Sequence, residues 1–90
     1  MKITFDASKR EKNRAEKGLD FERAAEVFEG VTVTRSDERK AYGEPRFVTS
    51  GRLDGRIVVV VWTPRGPARR IISMRKANER EIKKYTAALG

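Results

Sequence analysis

The sequence predicts an α+β domain, a small antiparallel sheet with two helices before it and one after it, in the order β-α-α-β-β-β-β-α. Three observations carry this expectation. Two stretches near the N-terminus have helix-capping residues in front and a terminating glycine behind, Gly18 and Gly30. From residue 31 onward the apolar spacing shortens from that of a helix to the two-residue period of a strand. The chain closes on Asn78 and Glu81, spaced as a capping box with Asn in place of Ser or Thr.

Ile3 and Phe5 alternate with polar neighbours, the pattern of a short first strand. Asp6 then stands at a helix N-cap, where a carboxylate accepts the free N–H groups of the first turn. Residues 7–17 are good helix formers with almost no apolar face. Asp20 caps a second helix in which Phe21, Ala24, Ala25 and Phe28 fall at i, i+3, i+4 and i+7, one apolar stripe. Residues 31–34 alternate as a strand, and residues 36–45 read as a charged loop. Residues 46–53 and 56–63 flank Asp54-Gly55, a pair suited to the positive φ angles of a tight hairpin turn. Residues 57–62 are apolar on both faces, which predicts a central strand covered on both sides. Pro64-Arg65-Gly66-Pro67 is a second turn and residues 69–75 are the last strand. Strict alternation there puts Arg69, Ile71, Ser73 and Arg75 on one side and Arg70, Ile72 and Met74 on the other. The last helix spans residues 79–88, with Ile82, Tyr85 and Leu89 on one face.

At 90 residues the chain is one domain, residues 1–90, with a thin core and no room for a large buried cofactor. Cysteine and histidine are both absent. This excludes disulfides and a thiolate nucleophile, argues against zinc, and removes the usual acid/base group at neutral pH. No metal site and no cofactor are expected. The longest apolar run is far too short to span a membrane, and the first residues lack the apolar stretch of a secretory leader. A cytoplasmic protein without a membrane partner is the expectation.

Lys and Arg number 21 against 13 Asp and Glu, a formal charge of +8, and the pI is about 10.3. A field of that sign favours polyanions. It is unevenly placed: residues 7–17 and the C-terminal third are basic, while the second helix is acidic. Lys9, Asn13 and Lys17 share one helical face. One reading is a groove gripping phosphates, with arginines whose planar forks match phosphate oxygens; the other is a solvated surface with loose ion pairs. Among the aromatic residues, Phe21, Phe28, Phe47 and Trp62 read as core and Tyr85 as a helix anchor. Tyr42, in the charged loop, is the candidate to stack on a base.

There is no Gly-rich phosphate loop and no Ser-His-Asp set, and the aspartates are dispersed, which disfavours a two-metal nuclease. RNA cleavage still fits, because RNA carries its own nucleophile. The protein need only align the 2′-hydroxyl, stabilise charge on the phosphate and assist proton movement. Arg46, Arg70 and Arg75 are the candidates for holding phosphate, Lys17 for moving a proton and Glu44 for a base. Lys9, Asn13, Lys76 and Tyr42 are the candidate RNA contacts.

Three segments also carry a resemblance. Phe5-Asp6-Ala7-Ser8-Lys9 through Lys17-Gly18-Leu19-Asp20-Phe21 and Ala24-Ala25-Glu26-Val27-Phe28 resembles the opening of the BrnT toxins. Tyr42-Gly43-Glu44-Pro45-Arg46-Phe47-Val48-Thr49-Ser50-Gly51 and Val58-Val59-Val60-Val61-Trp62-Thr63 resemble their middle, and Arg70-Ile71-Ile72-Ser73-Met74-Arg75-Lys76-Ala77 with Glu81 and Tyr85 their closing motif. The resemblance implies a type II toxin, a ribonuclease of RelE-like fold that inhibits translation and is neutralised by a cognate BrnA antitoxin. It also implies that the pair represses its own operon, with operator DNA reached through the antitoxin. The chain departs from the family pattern at Lys17 and Trp62, where relatives often have His; Lys17 would then substitute as proton donor. Two other readings stand beside the toxin: a basic RNA-binding module without chemistry, and a subunit whose basic face serves to bind an acidic antitoxin segment.

Overall fold

The computed structural model describes residues 1–39 and 41–90; residue 40, inside the expected loop, lies outside them. The elements are β1 (Ile3–Thr4), α1 (Ala7–Lys17), a 3-10 turn (Phe21–Arg23) running into α2 (Ala24–Glu29), β2 (Thr32–Ser36), β3 (Phe47–Leu53), β4 (Arg56–Arg65), β5 (Ala68–Lys76) and α3 (Glu79–Leu89). The five strands form one sheet in the order β1-β5-β4-β3-β2. The sheet is mixed rather than purely antiparallel, because β1 pairs in parallel with β5, Ile3 against Arg69 and Thr4 against Arg70. The other pairs are antiparallel. The parallel pairing follows from connectivity: the chain leaves β1 through both helices and returns to its side only at the last strand.

The local signals act as expected. Asp6 accepts from the backbone N–H of Ser8 and Lys9, and Gly18 ends α1 at φ 69°. Asp54 and Gly55 turn the β3–β4 hairpin at φ 52° and 79°. Asn78 and Glu81 form a reciprocal capping box. β4 is the central strand, and its Ile57, Val58, Val59, Val60 and Trp62 are buried.

One face of the sheet is covered by α1 and α2. Leu19, Phe21, Ala24 and Val27 pack there on Val58, Val60, Trp62, Ile71 and Met74. The second helix differs from the expected stripe. Its first turn is a 3-10 helix of about three residues per turn, so Phe21, Ala24 and Val27 come into line and Val27, not Ala25, is fully buried. α1 is held by a polar contact instead of an apolar stripe. β1 pairs only with Arg69 and Arg70, leaving the rest of that β5 edge free. Asn13, 7% exposed, fills the gap: its Oδ1 accepts from the Met74 N–H at 3.4 Å and its Nδ2 donates to the Leu19 carbonyl at 3.0 Å.

The second face is covered at one end only. There α3 lays Tyr85 and Leu89 on Ile57, with Val33 and Ala77 beside them. Ile82, expected on the same apolar face, is 44% exposed, at the point where this small cluster stops. The remainder of the face has no helix over it among the described residues, although its Val48, Val59 and Thr63 are still buried.

Candidate functional site

Strict alternation fails along β5. Val61 pairs with Ser73, but Trp62 pairs with Ile71, so Ile72 is an extra residue, a β-bulge. A one-residue shift reverses which face every later side chain occupies. The expected facing of β5 is therefore corrected. Arg69, Ile71 and Met74 share the helix-covered side with Pro64, Trp62 and Val60. Arg70, Ser73 and Arg75 share the open side with Thr63, Val61 and Val59. Arg70 and Arg75, assigned to opposite faces by alternation, lie on the same one.

The open half of that face is a cleft of about 220 Å³ with Val48, Val59, Val61 and Ser73 in its floor and Lys17, Arg35, Arg39 and Arg75 around it. Arg35 enters from β2, opposite Val48. The next row is centred on Thr63, with Arg70 opposite it on β5. Arg46 precedes Phe47, whose ring packs on Trp62 at 5.0 Å on the covered side; alternation sends Arg46 to the open side of the same row. Successive rows on one face are about 7 Å apart, comparable to one nucleotide step in an extended chain.

These arginines differ in what holds them. Arg75 makes a bidentate pair with Glu81 of α3, at 2.7 and 2.8 Å. The Glu81 carboxylate also accepts the Asn78 N–H at 2.9 Å. The Arg75 bonds and the nearby charge of Arg35 hold Glu81 down at about 2, although its burial opposes this. Glu81 raises the Arg75 pKa in return, while the charge of Arg39 works against it. Arg39 is fixed by Asp37, whose carboxylate is fully buried and accepts from Nε and Nη2 at 2.8 Å each. That pairing, with a bond from the Tyr42 hydroxyl at 3.3 Å, pushes Asp37 well below the usual carboxylate range. The Arg46 guanidinium lies over the Tyr42 ring at 3.9 Å, a cation–π contact. Its Nε is buried and has no hydrogen-bond partner among the described residues. Arg35, Arg46 and Arg70 make no ion pair among the described residues. Arg70 does lie near enough to Asp6 to lower its pKa, behind the larger effects of Ser8 and Lys9.

The residues expected from sequence thus divide. Lys17 and Arg75 line the cleft, Arg70 shares the uncovered side of β5 with Arg75, and alternation adds Arg46 beside it, although neither Arg46 nor Arg70 lines the cleft itself. Tyr42 stands beside them, but Arg46 occupies one side of its ring. Glu44 is 3.4 Å from Arg65 and does not line the cleft. Lys76 pairs with Val58 and so belongs to the opposite side of the sheet from Arg75, near Arg23 and Asp54. Asn13 is buried with both ends of its amide engaged in the fold. Lys9 lines a neighbouring cleft beside α1. Trp62 is core, as expected, and its Nε1 donates to Thr49 at 2.8 Å. Sequence reasoning missed Arg35, Arg39, Asp37, Ser73 and Glu81 as parts of the site.

A family model for the BrnT ribonuclease toxins of type II toxin–antitoxin systems matches residues 5–81. The chain belongs to the BrnT family. The match begins at Phe5, just before the cap of α1, and ends at Glu81, the carboxylate that clamps Arg75. BrnT membership implies an RNA substrate and an antitoxin partner. No curated protein matches the chain. Among the described residues no helix is long and apolar enough to cross a membrane.

Proposed function

We propose that this protein is a metal-independent endoribonuclease that cuts single-stranded RNA on the open face of its sheet and inhibits translation by doing so. The observation that carries the reading is the bulge at Ile72, which gathers Arg70, Arg75 and Ser73 on the side left uncovered by helices. Arg46 and Arg70 flank Thr63 and make no ion pair among the described residues, Arg70 feeling Asp6 only at a distance. They are placed to neutralise a phosphate whose negative charge grows in the transition state. The ribose 2′-oxygen attacks the adjacent phosphorus and the bond from phosphorus to O5′ breaks. The products are a 2′,3′-cyclic phosphate and a 5′-hydroxyl. Lys17, on the rim, delivers a proton to O5′, and the 2′-hydroxyl proton passes to water in the open cleft. Glu81, clamped by Arg75, is too weak a base for that step, and Glu44 is engaged with Arg65.

The same reading makes the fold RelE-like, the inhibitor a cognate BrnA-like antitoxin, the location the cytoplasm, and operator DNA a target reached only through the antitoxin. The test is incubation of purified protein with a defined RNA in the presence of a chelator. Cyclic-phosphate ends in wild type, and their loss in Arg70→Ala with retained fold, are expected; intact RNA, or cleavage that the chelator abolishes, would overturn the mechanism.

A second reading has an observation of its own. Arg75 is tied to Glu81 through both terminal nitrogens, and the chain has no histidine. A module that binds RNA or the antitoxin without chemistry needs no more than this. It predicts salt-sensitive RNA binding with no new ends.

A further inference from the structure

We infer that the cleft beside α1 is a second RNA subsite, holding phosphates that flank the one engaged on the open face. The inference rests on the RNA-cleaving reading above and concerns how far the substrate extends.

The cationic residues of α1 divide by partner. Arg10 donates to both oxygens of Asp20 at 2.7 and 2.9 Å, and Arg14 pairs with Glu11 at 2.9 Å. Lys9, Lys12 and Lys17 are exposed and have no ion pair among the described residues. The helical period places Arg10 and Arg14 on one side and Lys9 and Lys12 on another, with Lys17, at the end of the helix, close to the arginine side. The lysine side borders a cleft of about 260 Å³, shared with Asn13, Glu16 and Ile72.

Lys17 lines this cleft and the open-face cleft alike. The two are therefore neighbours, joined around the free edge of β5. Ile72, the bulged residue, is partly exposed in the α1 cleft and offers an apolar surface against which a base can lie. A lysine is a mobile point charge without the arginine fork. It suits a backbone phosphate that is held in place but not read. A ribose–phosphate chain crossing Arg70 and Arg75 would leave the sheet past Lys17 and run along Lys12 and Lys9. Glu16, the one carboxylate among the described residues on this cleft, opposes either polyanion, and it is the continuity with the open-face cleft through Lys17 that favours RNA over an acidic peptide.

The test measures equilibrium binding of the full chain to a trinucleotide and to a longer single-stranded RNA over a range of salt. Each phosphate contact to a single strand contributes about 0.7 to the slope of log K against log salt. For the longer RNA, the Lys9→Ala/Lys12→Ala double variant should lose about 1.4 of slope, two contacts at that value. Its preference for the longer RNA over the trinucleotide should shrink as well. Arg14→Ala, which removes a paired cation outside the cleft, should keep the wild-type slope. An unchanged slope in the double variant, or an equal loss in Arg14→Ala, would overturn the inference while leaving the open-face site standing. Loss of antitoxin binding with RNA binding intact would assign the cleft to the protein partner and overturn it too. Wild-type protein that binds no RNA would defeat the parent reading instead.

Discussion

On the side covered by α1 and α2, β4 presents Val58, Val60 and Trp62 to a packed cluster. On the other side the same strand presents Val59 and Val61 to a cleft bordered by Arg35, Arg39 and Arg75. Cations occur on both sides but are treated differently. Arg69 on the covered side is stacked over Phe28 and Trp62, 4.6 and 4.2 Å from their ring centroids. Arg23 is bound to Glu26 and Asp54, tying α2 to the β3–β4 turn. On the open side Arg35, Arg46 and Arg70 make no ion pair among the described residues. Like charges so placed repel one another and weaken the fold, a cost that a polyanionic ligand would reverse. One side of the sheet is thus closed by packed helices, and the other gathers cations with no helix above them.

The comparison can be broken at either face, and the largest effect belongs to the covered one. Trp62→Ala should cost about 3–5 kcal/mol of stability, the range for emptying a buried aromatic site, as measured by chemical denaturation. On the open face, Arg70→Ala should lower the RNA cleavage rate by roughly 10²–10³-fold, the scale for removing one charge-stabilising donor, with a melting temperature close to wild type. A variant that unfolds, or one that cleaves normally, would erase the division of labour. Gly51 sharpens it from the covered side, where an added Cβ would lie 2.8 Å from Val27 Cγ1 and 3.0 Å from Thr32 Cγ2. Gly51→Ala should therefore cost about 1–3 kcal/mol through overpacking, again read by denaturation.

The smallest expected effect is at the Glu81 clamp. The folded carboxylate titrates at about 2 against an ordinary value of 4.5. Because the folded value is depressed, the stabilisation is complete above pH 4.5 and is lost as pH falls through 2. Arg75 is 40% exposed, so solvent screening limits the effect to about 1 kcal/mol. Melting temperatures of wild type and Glu81→Gln should differ near neutral pH and converge on acidification; a constant gap would show that Glu81 acts through packing.

What could be read from the sequence was local. Asp6, Gly18, Asp54-Gly55 and the Asn78–Glu81 box depend on neighbours a few residues away, and each formed as expected. The second helix was legible at its Asp20 cap but not in its first-turn period, which exchanged Ala25 for Val27. The bulge was hidden for a different reason. Ile72 is apolar and fits a strand pattern, and only the partner on β4 reveals that it is extra. That one residue decides whether Arg70 joins Arg75. Lys76 was misplaced because neighbours along a strand point to opposite faces. The partners that hold Glu44 and Asn13, Arg65 for the one and Leu19 and Met74 for the other, are known only once the chain is folded. Arg35 did leave a signal, since alternation from Val33 carried two residues further puts it on the open face. Asp37 left none: nothing in the sequence separates a fully buried aspartate from the solvated charges around it.

The offset at Ile72 also sets what kinds of change the protein can absorb through mutation. Before and after it, β5 keeps separate rhythms for its greasy and its charged positions, so single replacements can adjust either set without disturbing the other. Loss or gain of one codon there is another matter: it would exchange the inner and outer roles of half a strand at once, which makes length, more than composition, the guarded property of this segment.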